Sequence, residues 1–385
     1  MATSEPSTID MSVLPQEVVD TIIDHLHADN RSLASCSLVC RSWRDAAQHH
    51  LLAKLTCRGS ATRIDDLLLQ LDQSHTFAAR VCEIWFLGAV FGPTDFLDAG
   101  LLAVLLEMLP NLRAMHLIRM SLVNGPLELP TVTRRRLAQL PRYKYKLKQL
   151  DLTVVYEATA RRLVDMLSLF AEVDNLTLRC VFTDTVHATE LEEPAAKALN
   201  IGTTLCRTLV IDGRYPISYR IEPALCYTFL TSLEVKFPKL QDIPSVFNII
   251  VAAAHSLDSL TLHLDSRTPA LEWRDLELVS WKSLHRLSLI VEVMSGSHPF
   301  YFGPLPTLLS YFPDTITRIT LTLDESWWTI DRLEDLGWKD LEAGLLRFGS
   351  LKAVTMRLTP FTVDRVLPQV AAQEMPALAA RGVLV

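Results

Sequence analysis

One short pattern returns along most of this chain: an apolar residue, two positions of any kind, an apolar residue, one position, and a third apolar residue. It reads Val81-x-x-Ile84-x-Phe86, Leu112-x-x-Met115-x-Leu117, Leu147-x-x-Leu150-x-Leu152 and Val173-x-x-Leu176-x-Leu178. A weaker copy, Cys206-x-x-Leu209-x-Ile211, precedes Leu230-x-x-Leu233-x-Val235, Leu257-x-x-Leu260-x-Leu262 and Leu284-x-x-Leu287-x-Leu289. The last are Ile316-x-x-Ile319-x-Leu321 and Leu351-x-x-Val354-x-Met356. Their central residues lie 31, 35, 26, 33, 24, 27, 27, 32 and 35 positions apart. Alternation in the second half of each copy predicts a short strand. Between copies the apolar spacing turns helical, over 96–109, 158–171, 246–255, 304–312 and 333–348. One strand and one helix cannot hide their apolar face alone; stacked units build one continuous core. The expectation is an α/β chain whose residues 58–385 form an irregular solenoid.

The beginning follows a different rule. Residues 1–12 are expected to be disordered and residues 13–57 to form a three-helix head. Leu14-Pro15-Gln16-Glu17 opens the first helix, with proline at a position whose missing N–H has no partner in any case. Val18, Val19, Ile22, Ile23 and Leu26 then recur at helical spacing. Asp29 and Asn30 are expected caps. A second stripe runs Leu33, Cys36, Val39, Cys40, Trp43, and a third helix is expected over 45–55. So small a unit buries little surface, and its surplus of apolar residues needs the rest of the chain or a partner.

Leu14-Pro15-x-Glu17-Val18-Val19-x-x-Ile22-Ile23-x-x-Leu26, followed by Leu33 and Val39-Cys40-Arg41-x-Trp43-Arg44, resembles the F-box over residues 14–55. The resemblance implies docking on the Skp-type adaptor of SCF (Skp–cullin–F-box) ubiquitin ligases. By motif position the docking residues would be Leu14, Pro15, Val18, Ile22, Leu26, Leu33, Val39 and Trp43, some of which must instead be core within the head. Apolar anchors at helical spacing fit helix-in-groove recognition. The body resembles leucine-rich repeats in part. That family continues to an Asn or Cys at its ninth position, which ladders buried backbone groups. Here the position holds Met120, Asp265, Glu292, Asp324 or Thr359, among others, so a degenerate horseshoe is expected. The combination looks most like divergent fungal F-box proteins with such repeats.

Composition agrees. Leucine fills 66 of 385 positions and glycine only 13, which disfavours glycine-rich phosphate loops. The net charge of −7 argues against a general nucleic-acid binder. No signal peptide or bilayer-spanning run is read. Seven scattered cysteines without a CxxC pair read as reduced thiols, hence an intracellular, cytoplasmic or nuclear, protein.

On a horseshoe the strands line the concave face, and residues flanking the apolar ones point outward. Trp85, His116, Asp151, Arg179, Asp212, Glu234, Lys236, His263 and Arg357 are the candidate substrate-binding residues, with Thr153, Thr177, Thr261, Ser288, Thr320 and Thr322 between them. Two stretches stand apart. Arg134, Arg135, Arg136, Arg142, Lys144, Lys146 and Lys148 with Tyr143 and Tyr145 read as a solvated loop, or else as an import signal, an acidic-partner patch or an RNA contact. The acidic stretch 324–342 carries Trp327, Trp328 and Trp338, read mainly as core. No nucleotide, hydrolase or zinc-protease motif occurs, and His25, His27, His49 and His50 have no matching ligand cluster. The chain is therefore expected to be non-catalytic, with no cofactor and no metal. The expected function is the substrate-recognition subunit of an SCF ligase, with a cullin reached through the adaptor and a protein target on the body, away from membranes. The alternatives are a scaffold that binds the adaptor without a cullin, or a repeat-based RNA- or protein-binding module.

Overall fold

The structure is a computed structural model that describes residues 14–58, 61–88, 96–97, 99–122, 145–153, 160–179, 204–212, 225–236, 243–265, 270–292, 304–324, 337–359 and 367–385. The head comprises α1 (Gln16–His25), α2 (Asn30–Cys36) and α3 (Arg41–Ala53). Asp29 caps α2 by accepting from the backbone N–H groups of Arg31 and Ser32 at 3.0 and 3.1 Å, which satisfies two otherwise orphaned donors. Val19, Ile23, Leu33, Trp43 and Ala47 close a small separate core. The break between the second and third helices falls earlier than the sequence suggests. Cys40 is extended (φ −159°, ψ 176°), so Trp43 belongs to α3 and residues 37–40 form the corner between helices.

From α3 the chain passes directly into a sheet. Its strands, in chain order, are β1 (Lys54–Arg58), β2 (Glu83–Leu87), β3 (Phe96–Leu97), β4 (Ala114–Ile118), β5 (Ser121–Leu122), β6 (Tyr145–Thr153), β7 (Phe170–Arg179) and β8 (Thr204–Asp212). There follow β9 (Leu225–Cys226), β10 (Ser232–Lys236), β11 (Ser259–Asp265), β12 (Arg286–Glu292), β13 (Arg318–Asp324) and β14 (Ala353–Thr359). Apart from β3 and β5, which pair with each other, and β9, which flanks β8, they form one sheet in chain order from β1 to β14. Every pairing is parallel. The connections carry α4 (Ala61–Gln73), α5 (His75–Arg80), α6 (Ala99–Met108), α7 (Ala160–Leu167), α8 (Ile243–Ala253), α9 (Pro304–Leu309) and α10 (Trp338–Leu346). Two helices, α11 (Leu367–Glu374) and α12 (Pro376–Ala380), follow β14.

Register makes the motif physical. Ile84, Met115, Leu150, Leu176, Leu209, Leu233, Leu260, Leu287, Ile319 and Val354 stand side by side on successive strands. A second row, two residues on, runs from Phe86 through Leu117 and Leu152 to Leu321 and Met356. Both rows are buried and share one core with residues of the helices, such as Leu102, Leu167, Ile250 and Leu345. Two helix boundaries differ from the sequence reading. Phe170 and Ala171 open β7 rather than closing α7, and Phe96–Leu97 is a strand. Phe170 continues the apolar spacing of the preceding helix, so periodicity alone cannot separate them. Trp338 is buried in the core; Trp327 and Trp328 lie outside the described residues.

The polar rung missing at the motif's ninth position has a counterpart just before the motif. Asn111 Nδ2 donates to the carbonyl of Ala79 at 2.7 Å, Ser283 Oγ to that of His255 at 2.7 Å, and Thr315 Oγ1 to that of Leu284 at 2.9 Å. Ser256 Oγ reaches the Tyr227 and Leu230 carbonyls. Each bond spans one repeat and satisfies a turn carbonyl of the unit before. On the opposite side, the Gly88 N–H donates to the Ile118 carbonyl at 2.8 Å. A Cβ at Gly88 would overlap the backbone carbonyl of Arg119, a residue whose own φ is 58°. The last strand is covered by the chain's end: Val354 donates to the Val383 carbonyl and accepts from the Val385 N–H, which occupies part of an edge that would otherwise invite pairing.

Two outcomes are expected in thermal unfolding followed by circular dichroism. Thr315→Val, which leaves a turn carbonyl without its donor, lowers stability by about 1 kcal/mol. Gly88→Ala, whose methyl group meets backbone rather than a yielding side chain, costs at least about 1–3 kcal/mol.

Candidate functional site

Two surfaces of the described residues carry candidate chemistry. The first is on the head. Inward spacing in α1 sends Val19 and Ile23 to the core, so Val18 and Ile22 face out, 42% and 37% exposed. The corner after α2 places Leu38 and Val39 at 82% and 53% exposure. Pro15 is exposed as well, while Leu14 and Leu26 are half-buried. Leu33 and Trp43 are held inside the head's own core. Of the eight motif-derived positions, Pro15, Val18, Ile22 and Val39 thus present surface. Leu38 was missed by the sequence reading, because its exposure arises from the corner and not from helical spacing.

The second surface is the face of the sheet turned away from the apolar rows. Strand alternation sends Trp85, His116, Asp151, Thr177, Val210, Glu234, Thr261, Ser288, Thr320 and Thr355 to it in one register row. At its β1 end the side chains form a network. The Trp85 and His116 rings stack with centroids 4.0 Å apart, and Lys54 Nζ lies 4.2 Å over the Trp85 ring. Glu83 accepts from the Trp85 indole N–H and pairs with Lys54 Nζ at 3.4 Å and His116 Nε2 at 3.5 Å. His116 Nδ1 meets Asp151 Oδ2 at 2.8 Å, and Gln149 Nε2 donates to the same oxygen at 3.0 Å. Burial alone would raise the Asp151 carboxyl, but the His116 and Gln149 hydrogen bonds, with a smaller pull from the nearby Thr177 hydroxyl, hold it below its usual range. Lys54, Glu83 and Gln149 were not among the sequence candidates. They occupy the position before the central apolar residue, or its equivalent on β1, which points the same way as the position after it.

A second cluster sits on β10 and β11. Glu234 Oε1 lies 3.1 Å from His263 Nε2 and 3.0 Å from Lys236 Nζ. The His263 hydrogen bond, opposed by burial and aided by Lys236, pulls the Glu234 carboxyl down to about 2. Between the clusters, Arg179 and Asp212 are register neighbours that form no ion pair with each other. Arg357 is exposed on β14, apart from both clusters. Of the basic stretch, Tyr145, Lys146 and Lys148 are described. Lys146 pairs with Glu172 at 3.0 Å, and Arg134, Arg135, Arg136, Arg142, Tyr143 and Lys144 lie outside the described residues.

Among the described residues no group of three or more His, Cys, Asp or Glu is placed to hold a metal ion, and no helix is long and apolar enough to cross a membrane. The described cysteines are free thiols, and burial pushes the Cys206 thiol up to about 12.

The Glu234 cluster carries a pH signature. A carboxyl lowered on folding adds stability that is fully present above its unfolded value of about 4.5 and is lost as pH falls toward about 2. The stability deficit of Glu234→Gln is therefore expected to be present at pH 5 and to shrink toward zero near pH 2. Denaturant unfolding across that range reads it; a deficit that does not change with pH would contradict the assignment.

No curated protein matches the chain. Residues 11–58 match the F-box-like family, a span that takes in all three head helices and ends in β1, the first strand of the sheet. The chain therefore carries an F-box-like domain at its head, continuous with a parallel α/β sheet.

Proposed function

We propose that this protein is the substrate-recognition subunit of an SCF-type ubiquitin ligase. The observation that carries the reading is the exposure of Val18, Ile22, Leu38 and Val39 on an F-box-like head whose core is already closed by other residues. Apolar side chains left outside a finished core want a partner, and F-box domains bind Skp-type adaptors. Through the adaptor the chain joins a cullin. The in-register parallel sheet supports reading the body as a leucine-rich-repeat-like horseshoe, with its polar face as the concave surface that holds a protein target. The chain performs no chemistry and needs no cofactor. It raises the target's effective concentration at a catalytic partner.

Co-purification of the intact chain with a Skp-type adaptor tests this. Ile22→Glu and Val39→Glu each place a charge in the apolar contact and are expected to weaken the complex by at least about tenfold, with helix content unchanged. Leu33→Ala acts differently: it opens the head's core, and both helix content and binding fall. A folded wild-type chain that fails to hold the adaptor overturns the reading. Adaptor without cullin in the purified complex leaves the scaffold role in its place.

A further inference from the structure

The charges of the polar sheet face are unevenly used. On β1 to β6, Lys54, Glu83, His116 and Asp151 pair with one another. On β10 and β11, Glu234 holds both Lys236 and His263. The two strands between hold charges that neither cluster absorbs. Arg179 at the end of β7 is exposed and has no ion pair among the described residues. Asp212, its register neighbour on β8, keeps Oδ1 buried with no hydrogen-bond partner among the described residues. Lys236, the neighbour of Asp212 on its other side, is turned onto Glu234 instead.

A buried carboxylate oxygen without a donor is costly. Here a carboxylate with one such oxygen is the register neighbour of a cation that faces solvent. Neighbouring parallel strands lie about 4.8 Å apart, so the two groups lie within the reach of a few residues of extended chain.

Resting on the reading of this face as the target-binding surface, we infer that β7 and β8 receive a protein segment of mixed charge. A lysine or arginine of the segment donates to the Asp212 carboxylate, and an acidic side chain one to a few residues away meets Arg179. The arrangement selects for charge order along the segment: a purely acidic segment leaves Asp212 unsatisfied and facing like charge, and a purely basic one repels Arg179. The two satisfied clusters on either side act as walls of fixed polarity and not as contact points.

The test uses the full chain in complex with its adaptor to select from a displayed library of random peptides. The best peptide is then synthesised and titrated by fluorescence anisotropy. Enriched peptides are expected to pair a lysine or arginine with an aspartate or glutamate a few positions away. Asp212→Asn is expected to weaken the chosen peptide on the order of tenfold or more, as loss of one charge-assisted hydrogen bond does, and to abolish selection of the basic residue. Arg179→Gln abolishes selection of the acidic one. Failure to enrich any peptide, enrichment without a basic residue, or equal affinity for Asp212→Asn overturns the inference. Adaptor binding, measured on the same samples, separates that outcome from failure of the ligase reading: the Asp212 and Arg179 variants retain it.

Discussion

Parallel pairing in strict register is the constraint from which the rest of the structure follows. Because each strand meets its neighbours at equivalent motif positions, two apolar rows run the width of the sheet and lock into the helical layer. A one-residue slip at any strand would move its buried leucines to the polar face and its polar residues into the core. That penalty recurs at every junction, so the register holds although the intervals between motifs vary from 24 to 35 residues. The variation is absorbed in the connections, which range from full helices such as α8 to the short 3-10 turn at Tyr227–Phe229.

The same constraint gives the polar face its character. Alternation fixes which residues reach it, and register fixes which meet. Asp151 finds His116 from 35 residues away, and His263 finds Glu234 from 29. Partners this distant in sequence meet only because the backbone has already been aligned by the apolar rows behind them. These pairs involve buried histidines, which would be costly to leave unpaired. Their effect is on specificity: they occupy charges that would otherwise attract any passing partner, and leave a limited part of the face unsatisfied.

Much of this was legible in the sequence. The three apolar positions of the motif are core residues wherever it was read, and Asp29 caps α2 as expected. What escaped did so for physical reasons. The corner between α2 and α3 depends on Cys40 being extended, and no residue type announces that. Phe170 satisfies helix and strand spacing equally. The rung formed by Asn111, Ser256, Ser283 and Thr315 was overlooked because small polar residues before a strand are ordinary turn formers. Only the position of a carbonyl one repeat away gives them a common purpose. The exposed apolar surface of the head was half legible: spacing separates Ile22 from Ile23 only once the direction of the core is known.

The direct passage from α3 into β1 remains. Ala53 ends the helix, Lys54 begins the strand, and the Ala53 carbonyl accepts the Cys82 N–H at 2.8 Å. Gln48 of α3 is bonded by Arg80, at the end of α5. No linker stands between head and sheet, so the two share a fixed phase. Strand geometry repeats every two residues, and helix geometry every 3.6. Lengthening this joint by a single residue would therefore turn the head by about 100° or invert the faces of β1, and no smaller adjustment is open to it. Evolution of such a chain is quantised at this point. Its length can change by adding or losing whole strand-and-connection units further along, while the angle between head and sheet is set once, by two consecutive residues.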